Sequence, residues 1–266
     1  MKRLVMMCVV LAAFTLSATA LVAGSLDDIQ KRGKLRVGME PGYMPFELTN
    51  KKGEIIGFDV DMAKRMAKAM GVELELVSTA WDGIIPALLT DKFDIIMSGM
   101  TLTQERNLSI NFAKPYIIIG QSVLVAKKHE GTVNSYADLN DPKYTVASKL
   151  GTTGEQATKR MLSKAGKYIS YETEQEGVME LINGKIDAFI YDMPFNSIAF
   201  VEKGGDKMFH IAEPFTYEPL AWAVKKGDPD FLNWLNNFMF QVENDGTYEK
   251  IYDKWFNDDS WRKEIQ

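Results

Sequence analysis

Arg106 is the residue from which the chemistry of this chain is most directly read. It ends the stretch Ser98-Gly-Met-Thr-Leu-Thr-Gln-Glu-Arg106, which follows the apolar run Phe93-Asp-Ile-Ile-Met97. That run reads as a buried strand, so the chain leaves a strand near Ser98 and opens into a turn. The turn offers two hydroxyls (Thr101 and Thr103), a series of backbone N–H groups that begins near Gly99, and one guanidinium. A guanidinium is a planar fork that meets both oxygens of a carboxylate. Hydroxyls and amides at a strand end or helix start complete an anion site. Taken alone, Arg106 also fits an ordinary surface turn.

Other polar residues occupy equivalent places. Asp192 ends the apolar run Ile186-Asp-Ala-Phe-Ile-Tyr-Asp192, just before Met193-Pro194 starts a helix. It reads either as a binding acid or as that helix's N-cap. Glu40 opens Glu40-Pro-Gly-Tyr-Met-Pro-Phe46, where two prolines and a glycine fix a loop. The loop also carries Tyr43 and Phe46, and Phe46 reads as core. Trp81 lies at a strand-to-helix edge in Thr79-Ala-Trp-Asp-Gly-Ile-Ile-Pro86. Thr153 sits in Gly151-Thr-Thr-Gly-Glu155, a second helix start with free amides and hydroxyls. That turn is too short for a nucleotide P-loop and lacks its lysine.

The elements that must position these residues alternate. Strands are expected over 34–39, 72–77, 117–125, 144–150, 168–171 and 186–192. Helices are expected over 26–33, 58–70, 174–183, 230–242 and 248–256, with another from the Gly151 turn to about residue 164. Met62, Met66 and Met70 recur at i, i+4 and i+8 and form a core stripe. The residues after Asp258 are polar and are expected to fray. In open α/β sheets, ligands bind at the carboxyl ends of strands. Glu40, Trp81 and the Thr101–Arg106 stretch all follow strands, so they should gather on one edge of one sheet, and Asp192 again lies at a strand's carboxyl end. Each signal is weak alone, and the convergence carries the argument.

Residues 1–24 stand apart. Lys2 and Arg3 precede an apolar stretch, and Ala18-Thr-Ala20 is a small-residue cleavage pattern, as in a secretory signal peptide. Cleavage after Ala20 and cleavage after Ala23 both fit. The single cysteine, Cys8, lies inside this segment without the small residue that would precede a lipidated cysteine. An exported chain of roughly 240 residues buries a full core without disulfides. Hydrophobic residues make up 46% and charged residues 25%, which excludes a disordered or fibrous class. The net charge of −5 becomes more negative once Lys2 and Arg3 are removed, which argues against a nucleic-acid partner. His129 and His210 are far apart and near no clustered carboxylates, so no metal or cofactor is expected.

The chain resembles the family 3 solute-binding proteins, the amino-acid receptors of bacterial ABC importers. The resemblance runs from Leu35-Arg-Val-Gly38 to Lys254-Trp-Phe256. It rests on Pro45-Phe46-Glu47, Gly57-Phe-Asp-Val-Asp61, Trp81-Asp-Gly-Ile-Ile-Pro86, Asp94-Ile-Ile-Met-Ser-Gly-Met-Thr101, Thr103-Gln-Glu-Arg106, Phe112-Ala-Lys-Pro-Tyr116, Gly151-Thr-Thr153 and Asp245-Gly-Thr-Tyr248. It implies an α/β fold of two lobes, the type II periplasmic-binding-protein fold, each lobe a central sheet flanked by helices and joined by a two-strand hinge. Lobe 1 would be 25–119 with 216–266, and lobe 2 would be 120–215. The crossings fall near Gly120 and over 215–219.

The resemblance also implies roles. Arg106 holds the ligand's α-carboxylate, with Thr101 and the backbone of Gly99 assisting from lobe 1 and Thr153 from lobe 2. Asp192 takes the α-ammonium. Side-chain choice falls to Glu40, Tyr43 and Trp81, whose carboxylate and aromatics suit a cationic side chain such as that of lysine, arginine, ornithine or histidine. A polar neutral ligand such as glutamine is the alternative, and so is a pairing of Glu40 with a protein lysine. The partners implied are a free amino acid and a membrane permease, for a monomeric periplasmic protein. Some proteins resembling this family are exported cyclohexadienyl dehydratases. Their catalytic glutamate would fall three positions after Asp192, where this chain has Phe195, which cannot donate a proton. A sensory module of a receptor would need a membrane span and a further domain, neither of which the sequence offers.

Overall fold

Residues 24–265 are described in the computed structural model, so the expected signal peptide lies outside the described residues. Leu35, Val37 and Met39 alternate with Lys34, Arg36 and Gly38, and this period of two makes Lys34–Met39 strand β1. A short hairpin of β2 (Leu48–Thr49) and β3 (Ile55–Ile56) leads into the helix Phe58–Met70. That helix buries Phe58, Met62, Met66 and Met70, and Gly71 ends it at φ 70°, where glycine meets no Cβ penalty. The strands that follow are β4 (Glu73–Ser78), β5 (Ile95–Ile96), β6 (Ile110–Phe112) and β7 (Ile117–Ile119). Next come β8 (Gln121–Ala126), β9 (Thr145–Lys149), β10 (Lys167–Tyr171), β11 (Ala188–Asp192) and β12 (Met208–Ile211). β13 (Glu218–Leu220) and β14 (Ala223–Lys225) complete the set.

These strands form two five-stranded sheets, ordered β4-β1-β5-β14-β6 and β10-β9-β11-β8-β12. In the first, β1 runs parallel to β4 and β5, and β14 is antiparallel to β5 and β6. In the second, β9 runs parallel to β10 and β11, and β8 is antiparallel to β11 and β12. Parallel strands need helical crossovers, and these cover the sheet faces. The chain passes from the first sheet to the second through β7 and returns through β13. Those two pair antiparallel, with Ile119 opposite Glu218. The result is an α/β protein of two sheet-and-helix lobes. No helix among the described residues is long and apolar enough to cross a membrane.

Two expectations are corrected here. The apolar run 117–125, read as one strand, is two strands in different sheets, broken at Gly120. A Cβ at Gly120 would lie 2.2 Å from the Thr216 carbonyl oxygen, so the crossing backbones leave room for glycine alone. The tail after Asp258, expected to fray, forms a helical turn over Ser260–Glu264. Trp261 is buried there, its ring 5.5 Å from that of Trp255, and the Lys51 N–H donates to the Glu264 carbonyl at 2.9 Å. One indole buries enough apolar surface to outweigh its polar neighbours.

Candidate ligand-binding site

β1, β5, β9 and β11 point their carboxyl ends into the gap between the lobes. The parallel register of β1 with β4 and β5, and of β9 with β11, brings those ends level. All eight residues singled out from the sequence, namely Glu40, Tyr43, Trp81, Gly99, Thr101, Arg106, Thr153 and Asp192, line one narrow cavity of about 20 Å³. The Trp81 indole N–H donates to the Gly151 carbonyl at 3.0 Å, and the Gln175 amide donates to the Gly42 carbonyl at 2.9 Å, so the lobes are in contact around it.

At one end stands Arg106. Its Nη1 donates to the Thr101 carbonyl at 2.9 Å and its Nη2 to the Gly151 carbonyl at 3.2 Å. The guanidinium carbon lies 5.3 Å from the Trp81 ring centroid, a cation–π distance. Thr103 is turned away from the cavity and accepts the Arg106 N–H at 3.1 Å, capping the short helix Gln104–Asn107. The Thr101 and Thr153 hydroxyls both donate to Glu218 Oε2, at 2.8 and 2.5 Å. Glu218 is on β13, so this contact ties both lobes to the hinge. The Gly99 N–H, expected to face a ligand carboxylate, instead donates to Asp59 Oδ2 at 2.9 Å.

Asp192 reaches the same cavity from the end of β11. Its carboxylate accepts from the Tyr43 hydroxyl and the Gln121 amide, and it makes no side-chain cap for the helix Met193–Lys203. The N-cap reading of Asp192 is therefore replaced by a role in the cavity wall. Burial pushes its carboxyl up to about 7, and the charge of Glu218 adds to the rise. The hydrogen bonds from Tyr43 and Gln121 and the charge of Arg106 pull it partly back. A Cβ at Gly99 would lie 2.2 Å from the Tyr43 ring, and φ there is 53°, so glycine is what lets that ring reach Asp192.

The third wall is charged. Glu40 accepts the Trp81 N–H at 3.2 Å on Oε1 and the Lys149 ammonium on Oε2. Lys149 also donates to Glu174 at 2.7 Å. Burial raises the Glu40 carboxyl, and the charge of Lys149 opposes that rise. Below them the Ser98 hydroxyl donates to Glu47 Oε1 at 2.6 Å and accepts the Glu40 N–H at 3.1 Å. Burial, aided by the charge of Asp59, holds the Glu47 carboxyl well above the ordinary range.

Sequence reasoning missed Gln121, Lys149, Glu174 and Glu218. Gln121 and Lys149 left a trace, as polar residues inside or closing apolar runs. Glu174 is indistinguishable in sequence from any acid in a helix first turn, and Glu218 from any acid in a connection.

Residues 35–258 match the profile of the bacterial extracellular solute-binding proteins, family 3. The L-cystine-binding protein TcyJ of Escherichia coli K12 is 32% identical over 236 residues, covering 89% of this chain and 87% of that one. A Wolinella succinogenes structure complexed with lysine is 56% identical, with a TM-score of 0.84, covering 87% of this chain and 99% of that one. The structure of the ancestral amino acid-binding protein AncCDT-1, a precursor of cyclohexadienyl dehydratase, is 46% identical at a TM-score of 0.81, covering 88% and 100%. With the profile spanning nearly all of the described residues and the two-lobed fold in agreement, this chain belongs to the bacterial extracellular solute-binding proteins, family 3.

Proposed function

We propose that this protein is the substrate-binding component of an amino-acid ABC importer, and that it captures a free basic amino acid between its lobes. The observation that carries the reading is that Arg106 and Asp192 line one cavity from opposite lobes. A zwitterion needs a guanidinium for its carboxylate and an acid for its ammonium. Closure then takes both pairs out of water, where each is stronger. Thr101 and Thr153 assist at the carboxylate by turning their hydroxyls from Glu218. Tyr43 and Gln121 orient Asp192, and Glu40 with Trp81 meets the side chain. The lobes are taken as 25–119 with 216–266, and 120–215, and the protein as a monomer exported to the periplasm by cleavage of its first 20 or 23 residues.

Glu40 supports a cationic side chain, as does the likeness to the lysine-bound Wolinella chain. The Glu40–Lys149 pair favours the second reading, a polar neutral ligand such as glutamine, because it already gives Glu40 a cation. An enzymatic role finds no acid in the required place. Phe195 is buried, edge-on to Tyr191 at 5.2 Å and outside the cavity wall. A thermal-shift screen of the mature protein against the common amino acids tests the function, since a ligand of the folded state raises its melting temperature. The expected result is stabilisation by lysine, arginine, ornithine or histidine. A shift with no amino acid at all would overturn it.

A further inference from the structure

Three charged groups meet at the side-chain end of the cavity, and they come from both lobes. Glu40 follows β1 of the first sheet, Lys149 ends β9 of the second, and Glu174 opens the helix Glu174–Ile182 packed on that sheet. The Lys149 ammonium bridges the two carboxylates. The side chains of Lys149 and Glu174 are each 2% exposed, and that of Glu40 is 19% exposed, so Glu40 is the member a ligand can reach. Glu174 is pressed against the other lobe as well: a Cβ at Gly42 would lie 3.1 Å from its Oε1.

We propose that Lys149, held by Glu174, sets the charge that the ligand's side chain must carry. The inference rests on the reading that the cavity takes an α-amino acid. Arg106 and Asp192 are then matched by the ligand's own carboxylate and ammonium. The Glu40–Lys149–Glu174 group keeps one negative charge in excess, because two carboxylates share one ammonium. Leaving that charge unpaired in a closed cleft is unfavourable, and a ligand side chain with a single positive charge compensates it. Trp81 and Lys149 hold the two Glu40 oxygens in place, so the carboxylate presents its remaining lone pairs rather than turning to solvent. Lys149 lies in one lobe and Glu40 in the other, so the charge count is complete only when the lobes meet. Selection is therefore read at closure. A lysine that served packing alone would weaken every ligand equally when replaced.

The test compares lysine and glutamine by calorimetry on wild type, Lys149→Met, Glu174→Gln and the double variant. Removing Lys149 makes the group more negative, removing the Glu174 charge makes it neutral, and removing both restores the wild-type excess. One unit charge a few ångströms away in a partly dry site changes the lysine-over-glutamine affinity ratio by about tenfold. The ratio is expected to rise about tenfold in Lys149→Met, to fall about tenfold in Glu174→Gln, and to return to within about threefold of wild type in the double variant. If Lys149→Met fails to fold, Glu174→Gln and the double variant still give distinct expectations, a fall of about tenfold and a return to the wild-type ratio. A ratio that stays constant across the variants overturns the proposal. A wild type that binds no α-amino acid overturns the reading beneath it and the proposal with it. A wild type that prefers glutamine, with the ratio still following the charge count, removes the basic preference and leaves the role of Lys149 standing.

Discussion

At the scale of single residues, the proposed site sets Arg106, Asp192 and Glu40 around one cavity. Replacing Arg106 by alanine would leave a ligand carboxylate buried without its fork, a loss of about 2–5 kcal/mol. The loss is expected for every α-amino acid regardless of side chain, and titration calorimetry with lysine and glutamine checks it. Binding within a few-fold of wild type would show that the carboxylate is anchored elsewhere. Asp192 makes a second prediction. Its carboxyl is raised to about 7 by burial, and only its ionised form attracts an ammonium. The sign is therefore fixed: affinity falls as pH drops through 7, by up to about tenfold per unit. Glu40, also raised by burial, acts in the same direction. Affinities measured at pH 7.5, 6 and 5 should decline in order, and a flat profile would mean that Asp192 does not meet the ammonium. Arg106, Asp192 and Glu40 were singled out in the sequence because each lies at or beyond the carboxyl end of an apolar run and the family motifs align with them, although each alone also fits a structural use. Lys149 and Glu218 were not, because their meaning lies in partners 109 and 117 residues away.

At the scale of elements, the hinge decides where the site residues meet. The apolar run 117–125 has the pattern of one buried strand, and nothing in its periodicity shows that it changes sheets. The change happens at Gly120, where the returning chain lies against it. The Gly120 carbonyl also accepts the Met193 N–H at 2.9 Å, pinning the helix that follows Asp192. Gly120→Ala places a methyl group 2.2 Å from the Thr216 carbonyl, and the backbone must move. The expected cost is about 1–3 kcal/mol in stability. The expected effect on binding is a uniform weakening for all ligands, with the lysine-to-glutamine ratio unchanged. Chemical denaturation and calorimetry on the same variant read the two effects, and wild-type stability would contradict the packing argument. Most of the expected elements lie within a residue or two of their places, since strand alternation and stops such as Gly71 are local signals, while the strand Met208–Ile211 was not expected. The turn over Ser260–Glu264 was not, because Trp261 is held by Trp255 and not by its own neighbours.

At the scale of the whole molecule, two lobes are joined by two strands, and both apolar and polar contacts run between them, the Tyr43 and Tyr191 rings meeting at 5.7 Å. Tyr43 with Asp192, Arg106 with Gly151, Gln175 with Gly42 and Glu40 with Lys149 are pairs a ligand must enter among. A saturating ligand is expected to shift the population toward closed lobes and lower the radius of gyration in small-angle scattering. Profiles that superimpose with and without ligand would count against a closing cleft. The two-lobed plan was legible because family motifs run the length of the chain, and the sheet orders agree with it.

The central claim is that a cationic side chain is selected at Glu40, and calorimetry on wild type and Glu40→Gln with lysine and glutamine tests it most directly. Wild type should bind lysine more tightly than glutamine, and Glu40→Gln should weaken lysine by more than it weakens glutamine. Equal weakening of both ligands, or a wild type that favours glutamine, would contradict it.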